Sequence, residues 1–202
     1  MNSESEHTLH RLEQNDSRLI QLQIGGTRPQ LQTPCPRPGM FNSSDSGDFS
    51  RLGDYIGENT HLKHLDVRYS VGLNLTNDRF YEGLKRNTSI HKLGINFRGQ
   101  VIVEESGLGL KILDAYQENS NHLTWLCISN AGLQNGGENV ITTTLRRCTN
   151  LQQIALSCCN INDEQLLQNI VEAVRERHSL KKFGLVANRI GNVGCETLAT
   201  LL

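Results

Sequence analysis

The stretch Asn150-Leu151-Gln152-Gln153-Ile154-Ala155-Leu156-Ser157-Cys158-Cys159-Asn160-Ile161, counted from Leu151, sets apolar residues at relative positions one, four, six and eleven. This unequal spacing is that of a short strand flanked by two bends. It returns in Leu123, Leu126, Ile128 and Leu133, and again in Leu180, Phe183, Leu185 and Ile190. Weaker copies stand upstream at Leu19, Leu22 and Ile24, at Leu62, Leu65 and Val67, and at Ile90, Leu93 and Ile95.

The copies begin at residues 19, 62, 90, 123, 151 and 180, giving steps of 43, 28, 33, 28 and 29. A period near 28 with two insertions accounts for every step, and such self-similarity marks a repeat architecture. A second regularity lies between the strands. Ten and six residues before the first apolar residue stand Leu52 and Ile56, Phe80 and Leu84, Ile141 and Leu145, and Ile170 and Val174. Ile112 and Tyr116 serve Leu123 with a displacement of one residue. Each pair is spaced i, i+4 and lines one helix face. The unit is therefore strand, bend, helix, bend. One such unit covers too little apolar area, so neighbours must stack to make a continuous core.

At this point the chain resembles the leucine-rich repeat family, in the long subtype of ribonuclease inhibitor and the sensor regions of NOD-like receptors. The match is carried by L-x-x-L-x-L-x-x-N from Leu180 to Asn188 and by the following Asn188-Arg189-Ile190-Gly191-Asn192-Val193-Gly194. The resemblance implies an α/β solenoid, or horseshoe, of about six repeats, with a parallel sheet on the concave side and helices on the convex side. It implies little about function. At the ninth position, where the family places Asn or Cys, this chain has Thr27, Ser70, Arg98, Ala131, Cys159 and Asn188. Only the last two fit, so irregular bends are expected in the middle of the array.

The domain reading is a flanking segment over 1–15 and one repeat domain over 16–202. The flanking segment is expected to be a partial helix with Leu9 and Leu12 on one face. All four prolines, Pro29, Pro34, Pro36 and Pro38, lie between Ile24 and Phe49, so about 26–48 is expected to be a surface loop. The run from Arg98 to Gly107 takes up the second insertion. A helix is expected over Asp163–Arg177, with an acid at its start and bases near its end, and another from Cys195. The next strand would begin at 208, past the last residue of the 202. The reading therefore expects a truncated array, or an apolar end covered by another chain.

With 37% hydrophobic and 5% aromatic residues, the core is built of small aliphatics. A net charge of −1 gives no footprint for nucleic acid or an anionic membrane. No apolar run of about eighteen residues suggests a membrane span. The polar start, Met1 to Arg11, has no signal core, so a cytoplasmic setting with six reduced cysteines is expected. No metal or other cofactor is expected, because His61, His64 and Cys35 lack the close grouping that a structural metal needs. Nucleotide-binding and nucleophile motifs are absent as well.

Strand alternation turns a strip of polar residues outward. The candidate protein-binding positions are His64, Asp66, Arg68, Lys92, Asn96, Trp125, Ser129, Gln153 and Lys182. Trp125, the one tryptophan, is an aromatic with a polar edge and makes a suitable anchor. The functional expectation is a non-catalytic scaffold for an unidentified protein partner. The resemblance also implies two alternatives: a Ran GTPase-activating regulator, or the sensor part of a larger NOD-like receptor-type protein.

Overall fold

The computed structural model of the chain describes residues 3–26, 38–69, 77–97, 106–116, 121–131, 133, 137–175 and 177–201. In chain order the elements are α1 (Ser3–Glu13), β1 (Gln21–Ile24), β2 (Gly39–Phe41), α2 (Ser46–Glu58), β3 (His64–Tyr69), α3 (Asp78–Arg86) and β4 (Lys92–Phe97). There follow α4 (Ser106–Tyr116), β5 (Trp125–Ser129), α5 (Gly137–Arg147), β6 (Gln153–Ser157), α6 (Glu164–Arg175), β7 (Lys182–Gly184) and α7 (Asn192–Ala199). Among the described residues the strands form one seven-stranded parallel sheet in the order β2-β1-β3-β4-β5-β6-β7. Successive helices pack against one another from α1 to α7.

Each repeated core pattern falls on one strand, and the strands align in the same phase. Leu22, Leu65, Leu93, Leu126, Ile154 and Phe183 are register partners from β1 to β7. Because side chains alternate along a strand, this one register commits a whole face to the core. The expected helix pairs, from Leu52 and Ile56 to Ile170 and Val174, are buried opposite them. The architecture is thus a repeating α/β array of the solenoid kind.

Hydrogen bonds tie one unit to the next. Ser89 Oγ donates to the carbonyls of Asn59 and Leu62 at 3.0 and 2.7 Å. Ser179 Oγ does the same to Thr149 and Leu151 at 3.0 and 2.9 Å. Asn87, at the C-terminus of α3, donates its amide to Ile56 O and Asn59 O at 2.6 and 2.9 Å and accepts from Ser89 N and Ile90 N at 2.9 and 3.0 Å. These bonds pin the helix-to-strand connection of one repeat to that of the next and pair backbone carbonyls buried between them.

One expectation about the N-terminal side needs correction. The stretch expected to be loop contains β2, which pairs with β1 through Leu22 and Gly39, Gln23 and Met40, and Ile24 and Phe41. The chain therefore steps outward once before α2 carries it back over to β3. Its helix also starts inside that stretch, with Asp45 Oδ1 accepting from Asp48 N at 3.0 Å. Helix α1 is the helix expected in the flanking segment. It packs on β2 and α2 with Leu9 and Leu12 buried, closing this end of the core. Ser5 Oγ both donates to Asn42 O at 3.1 Å and accepts from Asn42 N at 2.9 Å. The expected irregular bends at Thr27, Ser70 and Arg98 lie outside the described residues.

A candidate binding surface on the open face of the sheet

The residues between the core positions form three rows across the sheet. The first runs Gln21, His64, Lys92, Trp125, Gln153 and Lys182, and the second runs Gln23, Asp66, Gly94, Cys127, Ala155 and Gly184. The third runs Arg68, Asn96, Ser129 and Ser157. All nine candidate positions therefore share one face. Most are half-buried to exposed, as residues on the free side of a one-sided sheet should be.

They do not form one continuous cluster. The rings of His64 and Trp125 meet edge to face, with centroids 5.6 Å apart and planes at 74°, although β4 lies between their strands. Gly94 on β4 makes that approach possible. A Cβ there would stand 2.8 Å from Asp66 Oδ1 and 3.6 Å from Trp125 Cζ3. Glycine thus leaves room for the carboxylate and the indole to close over its strand. Beside them Arg68 Nε donates to Asp66 Oδ2 at 2.7 Å, a charge-assisted bond within one strand face. Further along, Asn130 Nδ2 donates to Asn96 Oδ1 at 3.0 Å. Gln153 and Lys182 stand apart from the His64–Trp125 group on the following strands.

Burial lowers the His64 pKa; Asp66 opposes that shift, while Lys92 and Arg68 reinforce it. The imidazole is therefore neutral near neutral pH and meets Trp125 as an aromatic ring rather than as a cation. Gln23 departs from the expected exposure. It is only 2% exposed, and its amide donates to Gly25 O at 2.9 Å. Arg68 lies over that end of the row, within 3.1 Å of where a Cβ on Gly26 would sit.

The bends after β5, β6 and β7 share a feature that alternation does not reveal. Asn130, Cys158 and Ala187 occupy equivalent positions with φ of 58°, 54° and 55°, a region L-residues rarely adopt. After β6 and β7 the next position carries the Cys and Asn caps that the sequence suggested, whereas after β5 it is Ala131. Asn188 Oδ1 accepts from Cys159 N and Ile161 N at 3.0 and 3.2 Å, and Cys159 Sγ donates to Ser157 O at 3.4 Å. Burial pushes the Cys159 thiol up to about 12, which leaves it unreactive as a nucleophile.

Among the described residues no three His, Cys, Asp or Glu side chains group as metal ligands, and no helix is long and apolar enough to cross a membrane. Cys127, Cys158, Cys159 and Cys195 are free thiols, Cys148 is buried, and Cys35 lies outside the described residues.

No family model matches the chain, and no curated protein matches it. Among solved structures it is similar to Leiomodin-1 Actin-Binding Site 2 (ABS2), with a TM-score of 0.44 and 14% identity over 100% of this chain and 89% of that one. A likeness this loose transfers no activity.

Proposed function

We propose that this chain is a leucine-rich repeat protein acting as a non-catalytic scaffold, in the cytoplasm, and that a protein partner seats on the open face of its sheet. The observation that carries this reading is the His64–Trp125 pair closed over Gly94, with Asp66 and Arg68 bonded beside it. An indole already held by its neighbours loses little rotamer freedom when a partner covers it, which is what an interface anchor requires. The surrounding Lys92, Asn96, Ser129, Gln153 and Lys182 supply polar contacts of the kind found at an interface rim.

The test is quantitative affinity capture with wild type and with the double variant Trp125→Ala, Asp66→Ala, after circular dichroism has shown equal helix and sheet content. The expected result is a defined set of proteins held by wild type and lost from the variant. Equal recovery of every protein overturns the assignment of this face. A GTPase turnover assay with the wild-type chain separates passive binding from an activator role.

A further inference from the structure

The chain passes from helix to strand along one margin of the sheet and from strand to helix along the other, and the two margins differ in charge. The strand-to-helix margin carries Asp45, Asp48, Asp78, Glu138, Asp163 and Glu164 at or beside helix starts. The opposite margin is basic, most densely around the last two strands, at Arg146, Arg147, Arg175, Arg177, Lys181 and Lys182.

Helix dipoles favour cations at helix C-termini, which accounts for Arg146, Arg147 and Arg175. It does not account for Lys181 and Lys182, which lie at and just before the start of β7, on no helix. Among the described residues none of the six has a carboxylate within ion-pair distance, whereas Arg11, Arg51, Arg68, Arg79, Lys85 and Arg86 do. The cluster is also drawn together: Arg177 Nη2 donates to Arg146 O, so the ends of α5 and α6 are side by side. Arg177 Nε is buried with no acceptor among the described residues. Like charges gathered this way repel one another, and an anionic partner relieves that repulsion.

We propose that this basic margin binds an acidic polypeptide segment. A peptide suits it better than a polyphosphate. A polyphosphate is drawn in by the field of the whole molecule, and a net charge of −1 supplies none, whereas a peptide carrying a few carboxylates matches a local group of six cations. A membrane surface fits less well, because the exposed large apolar residues Val186 and Val193 lie beyond β7 towards the opposite margin, and Ile20 lies at the distant β1 end. The margin shares Lys182 with the rim of the open face but includes none of His64, Asp66, Arg68 and Trp125, and it does not depend on that group binding anything.

The experiment measures binding of a fluorescein-labelled peptide of alternating Glu and Ala to the full chain by anisotropy. Single-stranded RNA and vesicles of equimolar phosphatidylserine and phosphatidylcholine run in parallel. Arg146→Glu, Arg147→Glu is expected to weaken the peptide about tenfold, and Lys181→Glu, Lys182→Glu comparably, since each reverses two charges of the cluster. Arg189→Glu, a charge reversal on the turn beyond β7, and Trp125→Ala are expected to bind as wild type. Added salt is expected to weaken binding. The proposal is overturned if wild type does not bind the peptide or if RNA or vesicles bind more tightly. It is also overturned if Arg189→Glu or Trp125→Ala loses as much as the paired variants, or if both paired variants, folded by circular dichroism, bind unchanged.

Discussion

The two ends of the sheet are made from the same kind of unit and packed to different degrees. At the β2 end, Phe41, Phe49 and Phe80 stack edge to face, with centroids 5.2 and 5.7 Å apart, and all three are fully buried. Helices α2 and α3 approach so closely there that a Cβ on Gly83 would stand 1.9 Å from Gly53 O. At the β7 end, Leu180, Phe183, Leu185, Ile190, Leu198 and Leu201 are only partly buried. Phe183 shares its register row with Leu126, which is fully buried. A repeat therefore does not own its core; its leucines are as buried as the units on either side make them.

That difference predicts unequal responses to equivalent changes. The largest effect is expected for Gly83→Ala. Helix propensity favours Ala by about 1 kcal/mol, but the backbone oxygen opposite cannot move cheaply. Overpacking should win and cost ~3 kcal/mol net, measured as a fall in chemical-denaturation midpoint. At the other end Gly184→Ala, whose nearest contact would be an ordinary 3.8 Å, should change stability by less than about 0.5 kcal/mol.

A smaller contrast separates two asparagines that bridge repeats. Asn87→Ala leaves buried carbonyls and amides without partners and should cost about 2 kcal/mol. Asn188→Ala opens comparable groups where water reaches them, so about 1 kcal/mol is expected. Equal losses would mean that the β7 end is as tightly closed as the β2 end. In the opposite direction, Ala187→Gly should stabilise by about 0.5 kcal/mol, since φ of 55° is natural only for glycine.

The smallest effect is a pH dependence at His64. Its folded pKa is depressed below the ordinary 6.5, so the unfolded chain binds the proton first as pH falls. The stability contribution is complete above the unfolded value and is lost as pH drops through the folded one. Thermal melts from about pH 7 to about pH 5 should show a decline that is shallower in Trp125→Ala, where His64 is less covered.

The repeat was legible because each strand of the array presents one apolar phase to one core. Leu151, Ile154 and Leu156 predict β6 for the same physical reason that Leu62, Leu65 and Val67 predict β3. Strand β2 lacked that signal: Gly39, Met40 and Phe41 are all buried, so there is no alternation to read. The rows of the open face followed from alternation, but the convergence of His64 and Trp125 did not. It depends on Gly94 standing between two strands that are far apart in sequence. Gln23 misled because alternation describes a strand face and not the bond by which its amide folds back onto Gly25 O. The bridging asparagines did leave a trace, since Asn59 and Asn87 each stand three residues before a core residue, Leu62 and Ile90.

The claim beneath all of this is that look-alike units stand side by side in one phase, and pulsed spin-label distances test it most directly. Labels would be placed at Gln21 with each of Lys92, Gln153 and Lys182 in turn, after serine replaces the accessible cysteines. The distance from Gln21 should lengthen in that order as strands are added at about 4.8 Å each. A label at Lys182 lying no farther from Gln21 than one at Lys92 would contradict the account.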